Sequence, residues 1–259
     1  MPAIRTINIT RYVTPLREGG SLPAIVEADD DGLYVLKFRG AGQGARALVA
    51  ELVSGEIARA LGLQVPEIVL ASLDQDLART EPDPEIHALI HDSAGMNVAL
   101  DFLPGSVTYD PVVHAPDADL ASRIVWFDAC VTNVDRTVRN TNMLMWHRRL
   151  WLIDHGATLY FHHLPGWESD AERARGPFAA IREHVLLPYA TMLKEVDEVS
   201  AAALSRDVIA GILDVIPDEW LRSDGSTLQP ADVRVAYGQY LLERLAPPRV
   251  FLEEALGAR

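Results

Sequence analysis

The chain contains a single cysteine, Cys130, among its 259 residues. One thiol can form no internal disulfide and cannot supply the several thiolates of a structural zinc site. Long apolar runs are missing as well, since no stretch approaches the roughly 18 residues needed to span a bilayer. The first residues, MPAIRTINITRYV, lack the apolar core and cleavage site of a signal peptide. These absences predict a cytoplasmic protein with no membrane partner.

Positive charge is also scarce. The chain has 23 Lys and Arg residues against 37 Asp and Glu residues, a formal net charge of −14. Sequence-independent binding of nucleic acid depends on clustered Lys and Arg that meet phosphates, so we expect no direct nucleic-acid partner. A phosphate-bearing ligand would require locally gathered positive charge or metal ions.

The order of apolar segments predicts two unequal parts. Residues 1–102 are strand-rich around one long helix, and residues 103–259 are mainly helical. The first part has a helix pattern over residues 45–61. SLPAIVEADDDGLYVLKF predicts two strands joined by an acidic turn at 29–32, and VPEIVLASL, EIHALIH and MNVALDFL predict further strands. After the break at LPGS, helix patterns occur in DLASRIVWFDACV and over residues 169–184, 189–205, 207–215, 230–245 and 248–256. We therefore predict an α+β protein with two lobes and a cleft between them.

Lys37 is out of place on its strand. In GLYVLKF, Leu33, Val35 and Lys37 share one face, and the other face is apolar as well. An ammonium there is unfavourable unless an anion meets it or the side chain reaches water. The functional interpretation is a phosphate partner, with a glutamate that steadies the lysine.

The following helix offers two such glutamates. At 100° per residue, Glu56 lies close to the apolar stripe that contains Val49, Val53 and Ile57, whereas Glu51 lies on the other side. Helical geometry alone therefore favours Glu56 as the inward acid.

Acids and amides also flank an apolar hairpin in VTNVDRTVRNTNMLMWHRRLWLIDHG, residues 131–156. If HRR forms the turn, Asn142 lies opposite Asp154, with Asn140 one step beyond, and Asp135 comes from the preceding loop. Such hard oxygen ligands suit Mg²⁺, which is commonly bound by one or two carboxylates together with substrate phosphates. The alternative is a surface hairpin whose Asp and Asn side chains only cap turns.

The order of strand lysine, helix glutamate, Asp-x4-Asn loop and Asp-x-Gly resembles the protein-kinase-like fold. Neither a His-Arg-Asp triplet nor a GxGxxG loop is present. VDRTVRN instead resembles the HipA-like kinases and, more distantly, the phosphoinositide kinases. GGSLP at 19–23 resembles the Gly-x-x-Pro segment of the HipA-like family, and AELVSGEIARALGLQVPE resembles its helix. The resemblance covers roughly residues 15–160.

For the nucleotide, this resemblance implies that Lys37 holds the α- and β-phosphates of ATP. The family's spacing selects Glu51 as the partner of that lysine, against the helical geometry. Gly20 and Ser21 belong to the segment that resembles the family's first strand turn and are candidates to contact the nucleotide. The backbone near Phe102 would meet adenine.

For catalysis, the resemblance implies that Asp135 orients the attacking hydroxyl and accepts its proton. Asn140 and Asp154 would bind Mg²⁺, and the hairpin pairing leaves Asn142 as the alternative ligand. Arg136 would steady the loop or a phosphorylated segment, or else form a surface salt bridge. His155 replaces the family's usual apolar residue in Asp-Phe-Gly, and we expect it to pack as a neutral ring.

The function predicted from the sequence is an ATP- and Mg²⁺-dependent phosphotransferase whose acceptor is a Ser or Thr hydroxyl on a protein. The alternatives are a small-molecule kinase, a pseudokinase that binds a partner protein, and nucleotidyl transfer within the same fold. A metal site shared by His162 and His163 is disfavoured, since adjacent histidines point different ways in most local structures.

Overall fold

The first part of the chain forms a closed five-stranded barrel. A computed structural model describes residues 4–16, 22–222 and 227–259. The barrel strands are β1 (Thr6–Pro15), β2 (Ala24–Ala28), β3 (Leu33–Lys37), β4 (Ile68–Leu73) and β5 (Gly95–Asp101). Their order is β1-β2-β3-β5-β4, and β4 returns to pair in parallel with β1. The predicted turn at 29–32 joins β2 to β3 in an antiparallel pair.

A 16-residue helix, α1 (Ala45–Ala60), follows β3 and matches the helix predicted over 45–61. Every residue from Leu48 to Ala58 is buried. One apolar cluster joins α1 to β4, β5 and the helices of the later part of the chain, and a second fills the barrel interior. A helix buried on all sides has no polar face, which matters for its two glutamates.

The strand predicted over EIHALIH is wrong, because this segment forms helix α2 (Pro84–Asp92). Asp83 caps the helix through a hydrogen bond from Glu85 N, and Pro84 occupies the first turn, where its missing N–H costs nothing. Ile86 and Ile90, four residues apart, form its buried face. The spacing of these apolar residues is that of a helix rather than of an alternating strand.

The later part of the chain is mainly helical around one small sheet. That sheet contains β6 (Val107–Thr108), β7 (Met143–Trp146) and β8 (Arg149–Leu152). The α-helices are α3 (Ala118–Cys130), α4 (Leu193–Ala203), α5 (Arg206–Asp214), α6 (Pro230–Leu245) and α7 (Val250–Gly257). Short 3₁₀ helices occur at Gln75–Thr80, Tyr160–His163, Trp167–Ser169, Ala171–Arg175, Ala179–Glu183, Leu187–Tyr189 and Asp218–Trp220.

The α-helix predicted over residues 169–184 is also wrong. The segment instead contains separate 3₁₀ turns, two of which lie on either side of Gly176 and Pro177. A proline disfavours the helical conformation of the residue before it, and Gly176 is accordingly extended, with ψ of 150°.

In the described part of the chain, no helix is long and apolar enough to cross a membrane.

Candidate active site

The Lys37 ammonium lies between two carboxylates that come from distant parts of the chain. Its Nζ atom is 2.7 Å from Oδ1 of Asp154 and 3.8 Å from Oε2 of Glu51. The lysine and Glu51 side chains are 12% and 2% exposed, whereas the Asp154 side chain is 39% exposed. Strand β3, helix α1 and the segment after β8 thus converge on one cation, and only Asp154 keeps substantial access to solvent.

Lys37 and Glu51 stabilise each other's charged forms. Burial lowers the pKa of Lys37, but the negative charges of Glu51 and Asp154, together with that of Asp135, outweigh it and leave the pKa raised. Burial raises the pKa of Glu51, but the Lys37 ammonium and hydrogen bonds from His155 outweigh it and leave the pKa lowered. The result is a charged lysine beside the ionised Glu51 carboxylate.

Glu51, and not Glu56, is the acid beside Lys37. Glu56 is also buried, but its Oε1 lies 3.4 Å from Nε of Arg59. Burial raises the pKa of Glu56. The helical-wheel argument for Glu56 is wrong because α1 is buried all round, so both glutamates face protein and the apolar stripe does not mark the direction of Lys37.

His155 locks the Asp-His-Gly segment onto α1. Its backbone N donates to Oε2 of Glu51 at 3.0 Å, and its ring Nδ1 lies 3.4 Å from Oε1 of the same carboxylate. The ring is fully buried and packs edge-on against Phe127, with ring centroids 5.8 Å apart. Asp154, one residue before, has a φ of 56°, in the left-handed region that a non-glycine residue seldom adopts. The His155–Glu51 contacts help to hold this conformation, which directs the Asp154 carboxylate to Lys37.

Asp135 is held by the side chains of two asparagines. Oδ2 of Asp135 accepts hydrogen bonds from Nδ2 of Asn140 at 2.9 Å and from Nδ2 of Asn142 at 3.1 Å. Asn133 fixes the loop from the other side by accepting from Asp135 N at 3.0 Å. Both amide groups direct their N–H donors at the carboxylate, so the amide oxygens stay free of that contact. Asn140 and Asn142 thus both lie within hydrogen-bond distance of Asp135, and each keeps its amide oxygen for another partner.

The hairpin that carries Asn142 and Asp154 is one residue out of the predicted register. Its turn consists of His147 and Arg148 alone, which have φ values of 46° and 62° and allow a tight two-residue connection. Met143 pairs with Leu152, and Ile153 N donates to the carbonyl oxygen of Asn142 at 3.1 Å. Asn142 therefore lies opposite Ile153 and not opposite Asp154.

A buried ion pair, which the sequence analysis missed, supports the Asp135 loop. Arg136 is 1% exposed, and its Nε donates to Oδ2 of Asp128 at 2.6 Å. The same oxygen contacts Nε2 of His184 at 2.8 Å, and Asn133 donates to the other carboxylate oxygen at 2.7 Å. Arg136 also donates to the Asn142 carbonyl oxygen. Arg136 therefore supports the loop from the protein interior. The alternative prediction, that it forms a surface salt bridge, is wrong.

Several of the predicted site residues line one cleft of about 930 Å³. Its walls include Lys37, Phe102, Asn140 and Asp154, together with Asn142. Phe102 N is already used by the sheet, since it donates to the Leu33 carbonyl oxygen at 2.9 Å. The predicted contacts at positions 20 and 21 lie outside the described residues. The described ranges hold no group of three or more His, Cys, Asp or Glu side chains placed for a metal ion.

The expectation that His162 and His163 point different ways is wrong. Their Nε2 atoms approach to 3.0 Å, and Nδ1 of His162 lies 2.8 Å from the Tyr237 hydroxyl. Burial lowers the pKa of His162, and of His163 as well. Two neutral rings at this distance share one proton in a hydrogen bond, and no third protein ligand for a metal accompanies them within the described residues.

Comparison with known proteins identifies the family. The sequence profile of the HipA-like kinases matches residues 9–252. The chain belongs to the HipA-like kinase family. A comparison with curated proteins finds no match.

One solved structure gives this HipA-like kinase chain a kinase-like fold. The Helicobacter pylori proinflammatory kinase CtkA superposes with a TM-score of 0.57 and 13% identity, over 98% of each chain. The Golgi casein kinase bound to Mn/ADP has a TM-score of 0.48 and 12% identity, over 96% of this chain and 75% of that chain. The CtkA match, at this low identity, describes the fold alone.

Proposed function

We propose that this HipA-like kinase chain transfers the γ-phosphoryl group of ATP to a hydroxyl acceptor in an Mg²⁺-dependent reaction. The observation that carries the proposal is the Lys37 ammonium, held between Glu51 and Asp154 on the wall of a 930 Å³ cleft. In a largely acidic protein a phosphate-bearing ligand requires local positive charge, and the fixed Lys37 ammonium supplies it. The cleft would lie between a nucleotide-binding lobe, residues 1–102, and a second lobe, residues 103–259.

Three parts of the chain would hold the nucleotide. Lys37 would bind the α- and β-phosphates, with Glu51 fixing the position of its ammonium. The backbone around Phe102 would meet adenine, and because the Phe102 N–H donates to Leu33, the base would bind other groups of this segment. Gly20 and Ser21 would contact the phosphates from the β1–β2 connection.

The donor set fits a magnesium ion. Asp154 has an accessible carboxylate whose Oδ1 is taken by Lys37, so Oδ2 remains, and Asn140 is an exposed residue that contacts Asp135 through its amide nitrogen rather than its oxygen. One carboxylate with an amide oxygen, completed by phosphates and water, is the kind of hard-oxygen set that Mg²⁺ takes. The bound ion would neutralise charge that develops on the phosphates during transfer.

Asp135 would act as the base. Its Oδ2 is held by two asparagine amides, which leaves Oδ1 to accept the proton of the acceptor hydroxyl. The acceptor oxygen forms its bond to the γ-phosphorus as the bond from that phosphorus to the bridging oxygen breaks. ADP leaves with the electron pair of that bond. Chemistry of this type depends on positioning and charge neutralisation, so few side chains are required.

The acceptor we propose is a Ser or Thr hydroxyl of a protein in the cytoplasm. Two separate segments of the cleft wall carry highly exposed apolar side chains, Val112 at 87% and Val138 at 76%. Exposed apolar side chains at the mouth of a site suit a peptide better than a small polar acceptor.

A thermal-shift titration tests the proposal. ATP is added with and without Mg²⁺ to the wild-type protein, to Asp154→Ala and to Asp110→Asn, in which an exposed carboxylate of the same cleft is neutralised. At a hundredfold excess over Kd we expect the wild-type melting temperature to rise by about 5–10 °C with Mg²⁺. Asp154→Ala should lose this rise and Asp110→Asn should keep it. Equal Mg²⁺-dependent shifts in all three proteins would contradict the metal assignment, and no shift in the wild-type protein would favour a pseudokinase.

A further inference from the structure

A second cavity, of about 410 Å³, lies beside the nucleotide cleft. Asp101 and Leu103 line both cavities, so the short segment after β5 separates them. The volume falls within the range of small-molecule sites. Lys37, Glu51, Asn140 and Asp154 do not line this second cavity, and it shares with the proposed adenine contact only the segment around Phe102.

Two tryptophans form its aromatic wall. Trp146 and Trp151 meet edge to face, with ring centroids 5.3 Å apart. Trp146 Nε1 donates to the Pro104 carbonyl oxygen at 2.9 Å, and Trp151 Nε1 donates to the Trp146 carbonyl oxygen at 3.3 Å. The His147 ring covers part of Trp146, with 4.2 Å between centroids. Since both indole N–H groups are used, the rings can offer an occupant only their carbon edges and π faces.

The charged side chains around the cavity are nearly all paired with one another. Nε and Nη2 of Arg5 donate to the two carboxylate oxygens of Glu67 at 2.9 and 3.0 Å. Arg59 lies 3.4 Å from Glu56. Asp101 is different, because it forms no direct ion pair with any residue in the described ranges, so its carboxylate lies beside two tryptophans with only the more distant Arg5 charge acting on it.

The electrostatic surroundings of Asp101 are negative overall. Burial and the charges of Glu67 and Asp30 raise the pKa of Asp101, and the opposing charge of Arg5 does not outweigh them. The charged groups linked through these contacts are two arginines and four carboxylates, namely Arg5, Arg59, Asp30, Glu56, Glu67 and Asp101. A cation that enters the cavity would therefore meet an excess of negative charge, and an anion would be repelled.

We propose that this cavity is a binding site for a small organic cation, an alkyl ammonium or alkyl guanidinium group. Asp101 supplies the counter-charge, and the Trp146–Trp151 pair supplies aromatic surface for the alkyl chain and the cationic head. Cations bind to indole faces through the ring quadrupole, and the attraction grows when water is excluded. The occupant would contact the Asp101–Leu103 segment from the side opposite the nucleotide. The group belongs either to a free small molecule or to an Arg or Lys side chain of another protein.

Two probes of the same shape and different charge test the site. n-Butylguanidinium and n-butylurea are each titrated into the full-length protein by calorimetry. We expect the charged probe to bind at least about tenfold more tightly than the neutral one, because only the charged probe gains from Asp101 and the ring quadrupoles. Equal affinities would overturn the proposal, since an apolar crevice would bind both, and so would the absence of heat with the charged probe at millimolar concentrations.

Variants locate the binding within the fold. Asp101→Asn removes the charge with little change of shape, and Asp214→Asn makes the same change at an exposed position on α5. We expect Asp101→Asn and Trp151→Leu to weaken n-butylguanidinium at least about tenfold and Asp214→Asn to leave it unchanged. Equal binding by Asp101→Asn and the wild-type protein would overturn the assignment. A Gly-Arg-Gly amide distinguishes the sources: tighter binding than n-butylguanidinium indicates a protein side chain, and weaker binding indicates a free molecule.

Discussion

The Lys37 Nζ atom lies 2.7 Å from Oδ1 of Asp154, although 117 positions separate the two residues in the sequence. The lysine thus occupies one oxygen of the carboxylate that we assign to the metal. If phosphates and a metal ion bound in the cleft as proposed, Lys37 would gain another anionic partner and Asp154 another cationic one. Metal and nucleotide should therefore bind more tightly together than separately, which is a coupling between two ligands of one site.

Replacement of the proposed base separates binding from chemistry. Asp135→Asn keeps a group that can accept the Asn140 and Asn142 hydrogen bonds, but it cannot take a proton. We expect the transfer rate to fall by about 10²–10⁴-fold, the usual contribution of a general base, with the Mg-ATP affinity little changed. Single-turnover phosphoryl transfer and a thermal-shift titration measure the two quantities. Full transfer activity in Asp135→Asn would remove Asp135 from the mechanism.

The two buried glutamates of α1 provide a matched pair of variants. Glu51→Gln removes the charge that lies 3.8 Å from Lys37, so we expect weaker ATP binding and slower transfer. Glu56→Gln removes a carboxylate whose pKa is raised by burial, so the ionised side chain is unfavourable where it lies. This variant should keep full activity and be at least as stable as the wild type at neutral pH. Equal losses of ATP affinity in the two variants would show that Glu51 has no special relation to the lysine.

The Arg136–Asp128 ion pair should be important for stability. Both side chains are fully buried, so Arg136→Met leaves the Asp128 charge with His184 and Asn133 as its remaining partners. We expect a loss of about 3–5 kcal/mol in the free energy of unfolding, measured in urea. Arg79→Met provides the control.

That control breaks an ion pair in which Arg79 is 74% exposed and Asp76 55% exposed. We expect it to cost about 1 kcal/mol or less. A cost for Arg136→Met no larger than this would mean that the buried pair contributes nothing beyond a surface contact.

The same aspartate predicts a pH dependence. Burial raises the pKa of Asp128, but the Arg136 charge and the His184 hydrogen bond outweigh it and lower the pKa from 3.8 to about 2. The folded state therefore favours the ionised form, and its stabilising effect is fully present above about pH 4 and is lost as the pH falls toward 2. The stability difference between wild type and Asp128→Asn should shrink across this window by on the order of 2 kcal/mol. A pH-independent difference would contradict the assignment.

Much of the fold follows from local sequence patterns. Helix α1, the β2–β3 hairpin and helices α3 to α7 lie close to their predicted positions, because their apolar spacing and end signals agree. The helix prediction over residues 169–184 failed because it rested on apolar spacing alone and did not take Gly176 and Pro177 into account. The α2 segment was short enough for strand and helix patterns to compete, and its Asp83-Pro84 start could have decided the matter.

The candidate site was predictable in its residue types and less so in its geometry. Lys37 could be found because a charge on an apolar strand is unusual. The choice of Glu51 required tertiary structure, since a helix buried all round gives no direction. Asp128 and His184 lie 56 positions apart and meet only in the fold, so no local pattern indicates their contact. The signal that the sequence offers for this contact is an acidic residue, Asp128, between Phe127 and Ala129 in a largely apolar helix pattern.

Closure of the barrel gives strand β1 two pairing partners. Residues 6–8 pair in parallel with β4, and residues 9–15 pair with β2. A variant shortened past residue 15 would leave β2 and β4 each with an unpaired edge of backbone donors and acceptors, and such edges recruit strands from other chains. A variant that lacks β1 should therefore self-associate before the geometry around Lys37 changes. For this reason, soluble expression of shortened variants is a poor guide to their catalytic competence.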